Sequence, residues 1–134
     1  MDLARATLRV VGDDLKPAEL TELLGVTPST SYLKGDVLTS KRGATRAAPT
    51  GYWSLEAEDS SPADLDLQVA HLLARLPEEE AVWSRLNERF EIDLFCGWFM
   101  QAWNEGTSLQ AATLSALAKR GIDLTIDLWD GRDD

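Results

Sequence analysis

The chain has 134 residues, 44% hydrophobic and 27% charged, with 13 Lys and Arg against 23 Asp and Glu for a net charge of −10. That length supports a single core, and that composition excludes a disordered, collagenous or fibrous protein. The charge disfavours non-specific nucleic-acid binding, which runs on phosphate neutralisation, and the one cysteine, Cys96, can neither close an internal disulfide nor supply a structural zinc site.

Ala4 to Val11 places Ala6, Leu8 and Val10 on one side and Arg5, Thr7 and Arg9 on the other, the period of two of a half-buried strand. Gly12, Asp13 and Asp14 then turn the chain. Pro17 suits the first helical position, Leu20, Leu23 and Leu24 form an apolar stripe, and Gly25 supplies a left-handed stop. Residues 27–51 carry no helical period and read as a long loop or loose hairpin around Lys34, Gly35 and Asp36.

Alternation returns from Tyr52 to Glu58, with Trp53, Leu55 and Ala57 on one side of a second strand. Ser61 ahead of Pro62 and Asp64 resembles an N-cap with an acidic first turn, and Leu65, Val69, Leu72, Leu73 and Leu76 follow at helical spacing until Pro77. A short helix is expected from Glu78 through Trp83 and Leu86. The third strand runs from Glu91 to Gln101, with Ile92, Leu94, Cys96, Trp98 and Met100 on one face and Asp93, Phe95, Gly97 and Phe99 on the other. Ser108 is placed to cap a helix carrying Leu109, Leu114 and Leu117, which Lys119, Arg120 and Gly121 close. Ile122 to Leu128 alternates as a fourth strand, and Asp130 to Asp134 is a polar tail.

Gly12, Leu15, Leu20 and Leu23 recur as Gly106, Leu109, Leu114 and Leu117 at a constant offset of 94 residues. Element order repeats with them, so the chain is expected to be one domain over 1–134, with pseudo-repeat halves 3–58 and 90–129, a helical linker 61–89 and the long loop 27–51. Two β-α-β halves so joined predict an α+β ferredoxin-like two-layer sandwich. Its four-stranded sheet is antiparallel or mixed, helices lie on one face, and the strand order is 4-1-3-2. In that order Arg5 and Arg9 would stand near Asp93, Asp123 and Asp127 on the open face.

The run from Gly12 to Pro28, with Asp13, Asp14, Leu15, Pro17, Leu20, Leu23, Leu24 and Gly25, resembles the opening signature of the bacterial family catalogued as domain of unknown function 4279. Lys34-Gly35-Asp36, Gly51-Tyr52-Trp53 and the stretch from Leu114 to Leu128 are similar to it in order and spacing. The resemblance covers nearly the whole chain and implies a domain type, with no activity or catalytic residues attached.

No apolar run approaches the roughly 20 residues that cross a bilayer. Residues 1–11, which include Asp2, Arg5 and Arg9, lack a signal peptide's apolar stretch. A cytoplasmic protein without membrane association is therefore expected. Asp13 and Asp14 are candidates for a metal or for acid/base work, although acids ahead of a helix also stabilise its N-terminus and no third ligand is spaced to help. His71 falls off the apolar stripe, next to Gln68 and Arg75 on the polar side of its helix. Cys96 on the inward face should be protonated and inert. Neither G-x-G-x-x-G nor G-x-x-x-x-G-K-[ST] occurs, so no cofactor or metal is expected.

Charge is unevenly placed. Residues 27–51 hold Lys34, Lys41, Arg42 and Arg46 against Asp36, a net +3, leaving −13 for the rest. Phe95 and Phe99, with Trp103 nearby, are expected on or near the open face, where aromatic surface calls for a cover: the loop, a second copy of the chain or another protein. The leading expectation is a non-enzymatic protein-binding module, in its specific form an immunity-type partner for a basic toxin. Two alternatives remain, a small-ligand sensor binding near the Gly12 or Gly106 turn and an enzyme using Asp13, Asp14 and Lys34.

Overall fold

The computed structural model describes residues 3–60 and 62–131. Ser61 and the end of the polar tail, residues 132–134, lie outside the described residues. The architecture is mixed α+β, and the central strands follow the alternation of the sequence. β1 (Leu3–Gly12), β5 (Gly51–Glu56) and β6 (Glu91–Met100) pair in a register that stacks Val10 beside Trp53 and Ile92, Leu8 beside Leu55 and Leu94, and Ala6 beside Cys96. All of these side chains are buried, in one cluster with residues of α1 (Pro17–Leu24), α2 (Leu65–Ala74), α3 (Glu80–Arg89) and α4 (Ala111–Lys119). Apolar strand faces need an apolar cover, and the four helices supply it from one side.

Sheet order departs from expectation. The main sheet has five strands in the order β2-β5-β1-β6-β7, where β2 is Thr30–Tyr32 and β7 is Asp123–Asp130, and β3 (Val37–Thr39) pairs with β4 (Thr45–Ala47) in a separate two-stranded ribbon. The predicted order 4-1-3-2 put the first strand between the third and fourth; it lies between β5 and β6, antiparallel to both, and only β6 and β7 run parallel. The cause is connectivity. α4 carries the chain straight from β6 to β7 as a crossover, whereas the chain leaving α1 first builds β2 and the ribbon and enters β5 from the opposite end.

The predicted repeat fails for a related reason. Leu20 is buried while its counterpart Leu114 is 45% exposed, and Leu23 is 37% exposed while Leu117 is buried, so the two helices are rotated differently against the sheet. The 94-residue offset is therefore a likeness of letters, without a shared packing environment.

Helix ends are set by local chemistry. Gly25 has φ 73° and donates its N–H to the Thr21 carbonyl, and Gly121 has φ 64° after α4. Asp64 caps α2, accepting from the Leu67 amide at 3.1 Å. Ser108 is not the cap of α4. Asp66 on α2 accepts from the Gln110 amide at 3.0 Å and from the Thr113 hydroxyl at 2.6 Å, so α2 caps the start of α4.

Candidate functional site

The face of the sheet away from the helices carries the alternate residues of each strand. Arg9 reaches Asp93 through Nε at 2.8 Å and Nη2 at 2.5 Å, and the Thr125 hydroxyl donates to the same carboxylate at 2.7 Å. The Arg9 guanidinium lies 4.4 Å from the centre of the Phe95 ring. Its pKa is raised, first by the hydrogen bonds to Asp93 and then by that carboxylate's charge, against a lowering by burial. These contacts lock Arg9, Phe95, Asp93 and Thr125 across three strands.

Arg5 does not join the expected ladder with Asp123 and Asp127. It pairs with Asp59 and, at 3.5 Å, with Glu56. On β6 its register partner is Gly97, which offers no side chain, and β7 lies one strand further away.

A cleft of about 490 Å³ opens beside this lock, where Arg9 and Val11 of β1, Glu91 and Asp93 of β6 and Asp123 and Thr125 of β7 meet Asn87, Phe90 and Gly121. Asn87 forms the wall by donating to the carbonyls of Trp83 at 2.8 Å and Arg120 at 2.9 Å. Three carboxylates against one arginine make the cleft net acidic. Its residues come from three stretches of chain, 9–11, 87–93 and 121–125; the expected grouping of Arg9, Asp93 and Asp123 is part of it, while Asn87, Phe90 and Gly121 were not anticipated.

At the other end of the same face, Phe99 stacks on Trp129 with ring centroids 6.2 Å apart, yet the two remain 45% and 53% exposed. Phe95 is thus covered by Arg9, whereas Phe99 stays in contact with solvent. Trp103, at 79% exposure, sits in the loop after β6 and off the sheet.

The remaining predicted residues fall into separate places. Lys34 meets Asp13 at 3.3 Å in an ion pair exposed on both sides, while Asp14 stays in the exposed turn. Asp36 is structural in its visible contact, accepting from the Leu33 amide at 2.8 Å. Lys41 and Arg42 form the ribbon tip and Arg46 lies on β4, with no ion-pair partner among the described residues. The ribbon stands in solvent, with Leu38 alone of residues 37–47 half-buried. The expected turn at Lys34 to Asp36 exists, but the hairpin proper closes lower, at Gly43. No group of three or more His, Cys, Asp or Glu side chains suited to a metal occurs among the described residues.

Cys96 is buried, and burial followed by the charge of Asp93 pushes its thiol up to about 11. Little thiolate is available at neutral pH. A thiol reagent at about pH 8 should label the folded protein about two orders of magnitude more slowly than the urea-unfolded chain, on the thiolate fraction alone. Equal rates would show that the inner sheet face opens readily.

The sequence profile of the family described as Domain of unknown function (DUF4279) matches residues 2–131. The chain belongs to this family. No curated protein and no solved structure matches it. The membership agrees with the resemblance carried by the Gly12 to Pro28 run, in which Gly12, Pro17 and Gly25 now have defined places at the end of β1, the start of α1 and its left-handed stop. Among the described residues of this member, no helix is long and apolar enough to cross a membrane.

Proposed function

We propose that this chain is a non-enzymatic protein-binding module whose open sheet face receives another protein. The observation that carries the reading is the half-exposed Phe99–Trp129 stack on the open face, beside the exposed Leu3 that is the register partner of Phe99 on β1. Two adjacent aromatic rings held against each other are the kind of rigid, amphipathic anchor that dominates interface energetics. With a net charge of −10, the favoured partner is basic, and an immunity-type role against a cationic toxin is the specific form of this reading.

The test is capture from the host with wild-type protein and with the Phe99→Ser/Trp129→Ser double variant, followed by mass spectrometry. A basic companion retained by wild type and lost by the variant supports the proposal. Recovery of wild type as a lone monomer sinks it.

A second reading, a small-ligand sensor, is favoured by the cleft of about 490 Å³, a volume in the range of ligand pockets. Its acidic lining selects cationic ligands, and a thermal-shift screen with organic amines would register binding as a raised melting temperature that Asp123→Asn abolishes. An enzyme built on Asp13, Asp14 and Lys34 has less support. Asp13 and Lys34 satisfy each other in solvent, at 66% and 54% side-chain exposure.

A further inference from the structure

β7 closes one side of the main sheet, and its outer edge has no strand beside it among the described residues. Soluble proteins usually blunt such edges with short length, lysine, proline or a covering segment. The opposite edge strand, β2, does so by being three residues long. β7 has eight residues and carries neither Lys, Arg nor Pro.

Its two faces are chemically distinct. Asp123, Thr125, Asp127 and Trp129 alternate on the open face, and Leu124, Ile126 and Leu128 alternate on the other. Ile126 and Leu128 are 47% and 57% exposed, and Leu114 on α4, the helix next to β7, is exposed too. An extended edge, two carboxylates four residues apart on one side and an apolar row on the other together describe a template for one more strand.

Charge decides what that strand is. Two copies of this chain pairing β7 to β7 would crowd both pairs of aspartates onto one face of the joined ribbon and bring together two bodies of net charge −10. Like charges set across strands destabilise the pairing. A cationic strand reverses the sign of every one of those terms. We propose that β7 accepts, as an added strand of the sheet, an extended segment of another protein with Lys or Arg on one face and apolar side chains on the other. The inference rests on the protein-binding reading above and names the partner's chemistry and the edge it uses.

The probe is an acetylated and amidated eight-residue peptide alternating lysine and valine, followed by calorimetry and by amide hydrogen exchange on the full chain. Slowed exchange is expected at alternate β7 amides, those that face outward. Replacing every lysine by glutamate, or N-methylating alternate backbone nitrogens along the bonding edge, should each weaken binding at least about tenfold, the first through charge and the second through the lost ladder. The Asp123→Asn/Asp127→Asn variant should lose a comparable factor and keep its melting temperature.

Equal affinity for the N-methylated peptide would mean attraction by charge alone and overturn the proposal. So would binding without protection in β7, no binding of the lysine–valine peptide, or a dimer of this chain that the peptide cannot displace. If the peptide fails while a companion still depends on Phe99 and Trp129, the edge inference falls and the open-face reading stands.

Discussion

Replacing Gln68 by Leu should lower stability by about 3 kcal/mol, the cost of leaving the buried Ala6 amide and the half-buried Ala4 carbonyl unpaired. For a chain of this size that is a fall of roughly 10 °C in melting temperature. The reason lies in a missing piece of sheet. β5 ends at Glu56, opposite Thr7, so on that side the first residues of β1 have no strand to pair with. Gln68 on α2 replaces it. Its Oε1 accepts from the Ala6 amide at 2.8 Å, and its Nε2 donates to the Ala4 carbonyl at 2.9 Å and to the Ser60 hydroxyl at 3.2 Å. Gln68 is 1% exposed and Ala6 0%, so water cannot take over at the Ala6 amide, while Ala4 is half-buried.

Leu matches the volume and removes both partners, which isolates the hydrogen bonds from packing. Gln68→Glu separates them further. A carboxylate keeps the bond from Ala6 and loses the donor to Ala4, and burial beside a carbonyl raises its folded pKa above the unfolded value. Stability from that proton is present below the ordinary carboxylate range and lost as pH rises through the folded pKa, so this variant should approach wild type on acidification. Urea melts of both variants across pH are the measurement, and a Gln68→Leu variant within about 0.5 kcal/mol of wild type would refute the clamp, since surface substitutions alone reach that size.

Gln68 also shows how far the sequence was legible. The strand faces could be read because Ala6, Leu8 and Val10, and Ile92, Leu94 and Cys96, obey a strict period of two that burial then enforces. The left-handed stops at Gly25 and Gly121 were visible because little else adopts that backbone. Gln68 stands three residues after Leu65 and four before Leu72, on the apolar stripe of α2. The expectation that Gln68 shares the polar side of α2 with His71 and Arg75 is therefore overturned: its side chain is buried, and its polarity masked a position on the apolar stripe.

β2, β3 and β4 escaped notice because three-residue strands of Thr, Ser, Arg and Val hold too little apolar alternation to stand out from a loop. Sheet order was legible only where β1 meets β6, since period tells which face of a strand is buried and nothing about which strand is beside it. The site was legible in part. Arg9, Asp93 and Asp123 were foreseen as neighbours and do line the acidic cleft, Arg5 was given the wrong partners, and the wall of Asn87, Phe90 and Gly121 had no signature.

Gly51→Ala is expected to cost about 3 kcal/mol, at the top of the range for overpacking a closed site. Gly51 begins β5 opposite Gly12 at the end of β1, and the chain turns directly over the pair into α1. A methyl group at Gly51 would lie 2.8 Å from the Gly12 carbonyl oxygen, 2.9 Å from the Leu15 Cβ and 2.9 Å from the Leu15 carbonyl oxygen. Two of those atoms are backbone and the third is a Cβ, so no side-chain rotation relieves the contact. The Gly12 oxygen is also held in place, accepting from the Leu15 amide at 3.2 Å. Relief therefore requires β1 and β5 to separate at this end, beside the Asp13–Lys34 pair and above Leu15, which is 1% exposed. Gly106, the residue at the 94-residue offset from Gly12, has open space where its methyl would go and a backbone outside the left-handed region. Gly106→Ala should be neutral, or stabilising by up to about 1 kcal/mol through a stiffer unfolded chain. Thermal melts of the two variants side by side test the crossing at Gly51 and the absence of a true repeat together; a large loss at Gly106, or none at Gly51, would contradict the packing described.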